Sequence, residues 1–233
     1  MIKRITLAAV AVTALTGIAP AANATETDGT IYVPSDFVVE LSDTRDNGSY
    51  EVQETALHIA TTGTTGTTGQ DKVAEYVASD VALADVGEPT LEYTNSSNLG
   101  VPGAQLVVDF DNDGSSDGIL IGEPAVYGND WWLNRTATDI AKAGAPETDG
   151  GKGSEWHGTL DQWRVAFPTA VVEAFGFSLG SGVQGDGLLT AIHFADTQYT
   201  FAADTALNNP CTRGVSNAIN SLAIENLVAD CVS

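Results

Sequence analysis

Residues 104–123 read AQLVVDFDNDGSSDGILIGE, and the fold turns on them. Leu106, Val107 and Val108 on one side, and Ile119, Leu120 and Ile121 on the other, are short apolar runs of strand type. The link between them is DFDNDGSSD, with Asp109, Asp111, Asp113 and Asp117 at positions 1, 3, 5 and 9 and Gly114 at position 6. Hard cations such as calcium take about six to eight oxygen ligands, and alternate carboxylates on a tightly turning backbone converge on one ion. Glycine at the sixth position permits the sharp turn that brings the last carboxylate back. Held this close without a cation, the carboxylates repel one another. The expectation is a hairpin whose link holds calcium through these four aspartates, with Glu123 a candidate late ligand. The competing reading is a solvated acidic turn.

The spacing resembles the DxDxDGxxD loops of calcium-binding extracellular proteins, such as those in integrin propellers. It departs from the EF-hand, because position 12 is Leu120 where that motif has glutamate, and strands flank the loop where that motif has helices.

Outward from the hairpin the chain keeps a strand character. IYVPSDFVVEL reads as one or two short strands, and Asp46-Asn47-Gly48 as a turn. SYEVQETALHIATT reads as one strand or as two broken near Glu54, with His58 on the outer face between Leu57 and Ile59. The repeat TTGTTGTTG, Thr61 to Gly69, reads as a flexible loop. DKVAEYVASDVALADV fits either period and is assigned to strand, and TLEYTNSS is another strand. Helix punctuation occurs twice. Thr136 opens TATDIAKAGAP, with Gly144 as its stop, and Thr159 opens TLDQWRVAFP, with Gln162 in capping-box position. AVVEAFGFSLG and LLTAIHFADTQYTF close the series as strands. Many short strands, frequent turns and no helix–strand alternation predict one all-β domain over residues 25–233. The expected form is a jelly-roll-like antiparallel β-sandwich with two short helices in its connections.

Residues 1–24 carry Lys3-Arg4, an apolar run from Ile5 to Ile18 and Ala22-Asn23-Ala24, the pattern of a secretory signal peptide cleaved after Ala24. A secreted, extracellular location follows. Nine basic residues against 31 acidic ones give a net charge of −22, which disfavours nucleic acid and anionic membranes as partners. No later stretch reaches the roughly 20 apolar residues of a membrane span. Cys211 and Cys231 in an exported chain are expected to form a disulfide closing the segment from about residue 203 to 233. One straight helix would hold them about 30 Å apart, so the tail must fold back.

From about Thr30 to Phe201, the blocks DKVAEYV, LVVDFDNDG, GILIGEPAVYGNDWW, GTLDQWRVAFP, AFGFSLGSG and GDGLLTAIHFADTQYTF resemble a secreted β-rich module of high-GC Gram-positive bacteria and some of their phages. The resemblance implies export and attachment to other extracellular domains, and it carries no settled activity to transfer. The cysteine-bearing tail lies outside it and is similar to the closing strand of jelly-roll carbohydrate-binding modules.

Among chemical signals, Gly176-Phe177-Ser178-Leu179-Gly180 matches the GxSxG elbow, but SGVQGDG after it cannot begin the helix an oxyanion hole needs. Asp186 and His193 crowd too close behind the serine, so a strand-end turn is the better reading and no catalytic residue is assigned. Glu123, Asp130, Glu155 and Asp161 lie near aromatics without a spacing that favours one pair for glycoside hydrolysis. His58, His157 and His193 are isolated and make no zinc pattern. Asn129-Asp130-Trp131-Trp132 with Trp156-His157 is the better recognition signal, since indole faces pack on sugar rings and nearby amides and carboxylates bond hydroxyls. Asn129, Asp130, Trp131 and Trp156 are therefore the candidate ligand-binding residues, against the competing reading that the tryptophans are core. The function expected is a calcium-stabilised binding or surface-interaction module for a glycan or cell-envelope component. The alternatives are a small secreted hydrolase and a structural part of a surface or phage assembly.

Overall fold

The computed structural model describes residues 26–66, 70–95, 99–150 and 154–205. The signal peptide and the Cys211–Cys231 disulfide expected above lie outside the described residues. Two sheets pack face to face. One contains β1 (Thr27–Val33), β2 (Ser49–Gln53), β3 (Ala56–Thr62), β5 (Thr90–Asn95), β11 (Gln184–Phe194) and β12 (Thr197–Ala203). The other runs β4 (Lys72–Ala82), β10 (Val171–Gly180), β6 (Gly103–Asp109), β7 (Gly118–Gly122), β8 (Asp130–Leu133) and β9 (His157–Thr159). The all-β sandwich is as the strand pattern predicts. One pair departs from the antiparallel rule: β1 lies parallel to β12, with Ile31 opposite Phe201.

Local chemistry explains the breaks between strands. Glu54 takes a left-handed φ of 57° and divides SYEVQETALHIATT into β2 and β3. Ala195 and Asp196, both at positive φ, form the two-residue link between β11 and β12, a turn whose twist matches that of the paired strands. Leu57 and Ile59 are buried while His58 between them is half-exposed, so the alternation read in that strand holds. Of DKVAEYVASDVALADV, assigned to strand, Lys72–Ala82 is strand and Leu83–Asp85 a turn of 3-10 helix, and Phe175 of β10 stacks on Phe194 of β11 across the sandwich at 4.2 Å.

β6 is buried at all seven positions. Leu106 and Val108 face the sandwich core, and Val107 joins Ala74, Tyr76 and Ala174 in a smaller cluster covered by Leu41. A segment running along β4 supplies that cover, through Val38 N to Tyr76 O and Asp43 N to Ala74 O, both 2.9 Å. Burial on both faces is why the strand reads as a continuous apolar run.

Among the described residues, three short α-helices occupy the connections: α1 (Pro124–Tyr127), α2 (Asp139–Ala143) and α3 (Leu160–Ala166). The sequence reading missed α1, a single turn with Pro124 in its first position. α3 carries the predicted capping box, with Gln162 N donating to Thr159 Oγ1 and Thr159 N to Gln162 Oε1. α2 is capped by Thr138, two residues later than the Thr136 expected, because the Thr138 hydroxyl accepts from Ala141 N.

Candidate functional site

The hairpin of β6 and β7 sets the acidic loop at one end of the second sheet. Asp109, the last residue of β6, is buried; its Oδ1 accepts from Asn112 N and Asp113 N, and its Oδ2 from Gly114 N at 2.8 Å. Asn112 and Gly114 both have positive φ, which wraps the backbone around that carboxylate. Asp117 returns the chain, with Oδ2 accepting from Phe110 N and Oδ1 from the Thr138 hydroxyl. Asp109, Asp111 and Asp117 present oxygens within 4.8 Å of one another, a donor set of hard-cation type. Asp113 stands outside that trio and accepts from Ser115 N. Desolvation raises the Asp111 carboxyl above its usual value, and the charges of Asp113, Asp117 and Asp109 add to the effect. Glu123 lies beyond the far end of β7, so the late-ligand reading fails on position.

The four candidate ligand-binding residues divide between places. Along β8 burial alternates, so Trp131 and Leu133 face the core while Asp130 and Trp132 face outward. Asp130 Oδ2 lies 3.0 Å from His157 Nδ1, and Asp149 Oδ1 lies 3.0 Å from His157 Nε2. Glu147, Asp149 and His157 present ligand atoms within 4.8 Å of one another, a second potential metal-holding trio. Burial lowers the His157 pKa, but the hydrogen bonds from Asp149 and Asp130 and their charges outweigh it and hold the imidazole above its usual value. Both ring nitrogens are thus engaged by carboxylates. Trp156 is half-buried against the core, with Lys142 Nζ 5.1 Å from its ring centre. It does not join a face with Trp131.

Asn129 and Trp131 instead meet in a cleft of about 720 Å³ between the two sheets. Its first wall is β5, an outer strand of its sheet. Leu188 of β11 pairs with both His58 and Thr94, and Ile192 with both Tyr199 and Leu91. β3 and β12 therefore share one edge of β11, and β5 takes the other. Leu91 and Tyr93 give this wall its apolar surface. The second wall is Ala104, Gly122 and Trp131, with Glu123, Pro124 and Asn129 from the α1 turn. Trp131 is only 5% exposed and lies over its cross-strand partner Gly122, where a Cβ would approach the indole to 2.8 Å. Glycine there is what lets the ring lie flat on β7.

Carboxylates edge the cleft. Glu88 and Asp161 line it and both bind Arg164 Nη1, at 3.0 and 2.8 Å. Glu123 is half-buried and, among the described residues, has no ion-pair partner. Desolvation raises its carboxyl above the usual value, opposed by the neighbouring Trp132 indole N–H. The Tyr93 hydroxyl is buried without a hydrogen-bond partner among the described residues.

The GxSxG serine lies within β10, 8% exposed and paired with Ala74 and Gly103, so no elbow forms. Asp186 binds His58, and His193 lies between Glu26 and Glu92, so neither partners Ser178. Sequence reasoning missed the cleft wall from β5, because Leu91 and Tyr93 stand far from the tryptophans in the chain and carry only an ordinary strand pattern. Comparison with known proteins returns no matching family model, no matching curated protein and no matching solved structure. The fold and site geometry define an all-β sandwich with an inter-sheet cleft.

Proposed function

We propose that this protein is an exported binding module whose inter-sheet cleft takes a glycan or another cell-envelope component, with calcium at the acidic loop as a structural ion. The observation that carries this reading is the cleft itself. An aromatic and aliphatic wall from β5, the Asn129 amide and the Glu123 carboxyl converge there, backed by the nearly buried Trp131 indole. Sugar rings offer apolar faces and hydroxyl edges in one molecule, and such a mixed lining suits both. The leader pattern at residues 1–24 and the acidic composition support export.

Asn129 is exposed and makes no part of the core, so Asn129→Ala tests the site without unfolding it. A glycan array and a cell-wall polysaccharide pull-down are expected to give binding that weakens in Asn129→Ala while the melting temperature holds. Absence of binding to every envelope polysaccharide removes the reading. A second reading, carboxylate-based glycoside hydrolysis, is favoured by one observation: Glu123 and Asp161 line the same cleft. Release of reducing ends from a bound polysaccharide, lost in Glu123→Gln, would place hydrolysis ahead of binding.

A further inference from the structure

We infer that the cleft selects an amine-bearing saccharide, a chain of hexosamine units with free ammonium groups, over its N-acetylated or acidic counterparts. The inference rests on the glycan reading above and assigns Glu123 as its specificity-determining residue.

Three carboxylates line the cleft, and two of them, Glu88 and Asp161, already share the Arg164 guanidinium. Arg164 itself is fully engaged, with Nε donating to Leu83 O at 3.1 Å and Nη2 to Gly87 O. It therefore has little left to offer a ligand anion. Glu123 is different. It sits half-buried between Gly103 of β6, the Tyr127 ring of α1 and the Trp132 indole of β8, and among the described residues no cation pairs with it. A carboxyl withdrawn from water and left without a cation is a site where an incoming ammonium gains more than it would at the surface. Anionic sugars meet the opposite field, from three carboxylates against the single Arg164 cation at close range and from the net charge of −22 at long range. Neutral N-acetyl sugars can use the Leu91 and Tyr93 surfaces but leave the Glu123 carboxyl without a cation.

The test is calorimetric titration of the full chain with glucosamine trimer, N-acetylglucosamine trimer and galacturonate trimer. Short oligomers limit non-specific attraction of a polycation to an acidic protein. Glucosamine trimer is expected to bind at least about tenfold more tightly than the acetylated trimer, the scale of one charge-assisted hydrogen bond. Glu123→Gln is expected to erase that preference. Asp80→Asn, which removes one charge from an exposed position of β4 outside the cleft, is expected to leave it within about twofold. If Glu123→Gln does not fold, Asn129→Asp serves: adding a carboxylate to the same rim must strengthen the preference. Equal affinity for the two trimers, tighter galacturonate binding, or equal losses in Glu123→Gln and Asp80→Asn would overturn the inference and leave the glycan reading standing. No binding by any of the three, alongside no binding on the array, overturns both.

Discussion

Thr138 donates twice to Asp117: its amide to the carbonyl and its hydroxyl to Oδ1, each at 2.8 Å. The same hydroxyl accepts from Ala141 N and caps α2. The acidic loop and the following helix are therefore one hydrogen-bonded unit, although 21 positions separate the two residues. Thr138→Ala is expected to cost about 1 kcal/mol, the usual scale of a lost N-cap, read from urea unfolding. It is also expected to reduce the stabilisation that calcium confers, because Asp117 then loses a donor that orients it.

Calcium itself is expected to raise the melting temperature in proportion to saturation, since an ion that binds only the native state stabilises it by mass action. A chelator reverses the rise. Asp111→Ala is expected to abolish it, and Asp113→Ala to leave much of it, because Asp113 stands outside the trio within 4.8 Å. A melt indifferent to calcium, chelator and Asp111→Ala would mark the loop as an acidic turn.

Two histidines give stability a common pH dependence. His157 lies between Asp130 and Asp149, and His193 between Glu26 and Glu92. Burial lowers each pKa, but the paired carboxylates prevail and both are held above the ordinary imidazole value of 6.5. A raised folded value means the protonated form is favoured in the native state. The stabilisation is thus complete below 6.5 and lost as pH rises through the raised values. Unfolding free energy is expected to fall on going from slightly acid to slightly alkaline pH. The double variant His157→Asn, His193→Asn should flatten that slope; an unchanged slope would refute the assignment.

Trp131 has two jobs that a single substitution cannot separate. Its backbone carbonyl accepts from Trp163 Nε1 at 3.1 Å, and its ring fills the space over Gly122. Trp131→Ala is expected to cost about 3–5 kcal/mol as a buried aromatic truncation, so loss of binding in that variant would not locate the site. Gly122→Ala is expected to cost about 1–3 kcal/mol by driving the indole away from β7, and to alter the cleft as well. Denaturant unfolding of both variants checks this, and costs near zero would place the ring elsewhere.

Much of the fold was legible because period-2 burial and turn chemistry are local signals. The link after Asp109, the break at Glu54 and the capping box at Thr159 are each written within a few residues. The parallel pairing of β1 with β12 was not, since it joins Thr27 to Thr197 and no local pattern encodes partner choice. The candidate site was legible in pieces. The sequence offers Asn129, Asp130, Trp131 and Trp156 as one binding face; Asn129 and Trp131 line the cleft, whereas the alternation of a strand through DWWL sends Asp130 to His157. Trp156 is a candidate by residue type alone, and its packing against the core is a tertiary outcome. The sequence offers Glu123 as a late ion ligand, whereas the run of β7 carries it away from the loop and into the cleft.

The measurement that bears most directly on the cleft as the binding site is amide hydrogen exchange with and without a bound envelope oligosaccharide. Protection is predicted in Thr90–Asn95 of β5 and across residues 123–131, the two walls that meet at the cleft. The amides around His157 and the strands β2 and β3 should be unaffected. Protection confined to those other regions, with none on either wall of the cleft, would contradict the account.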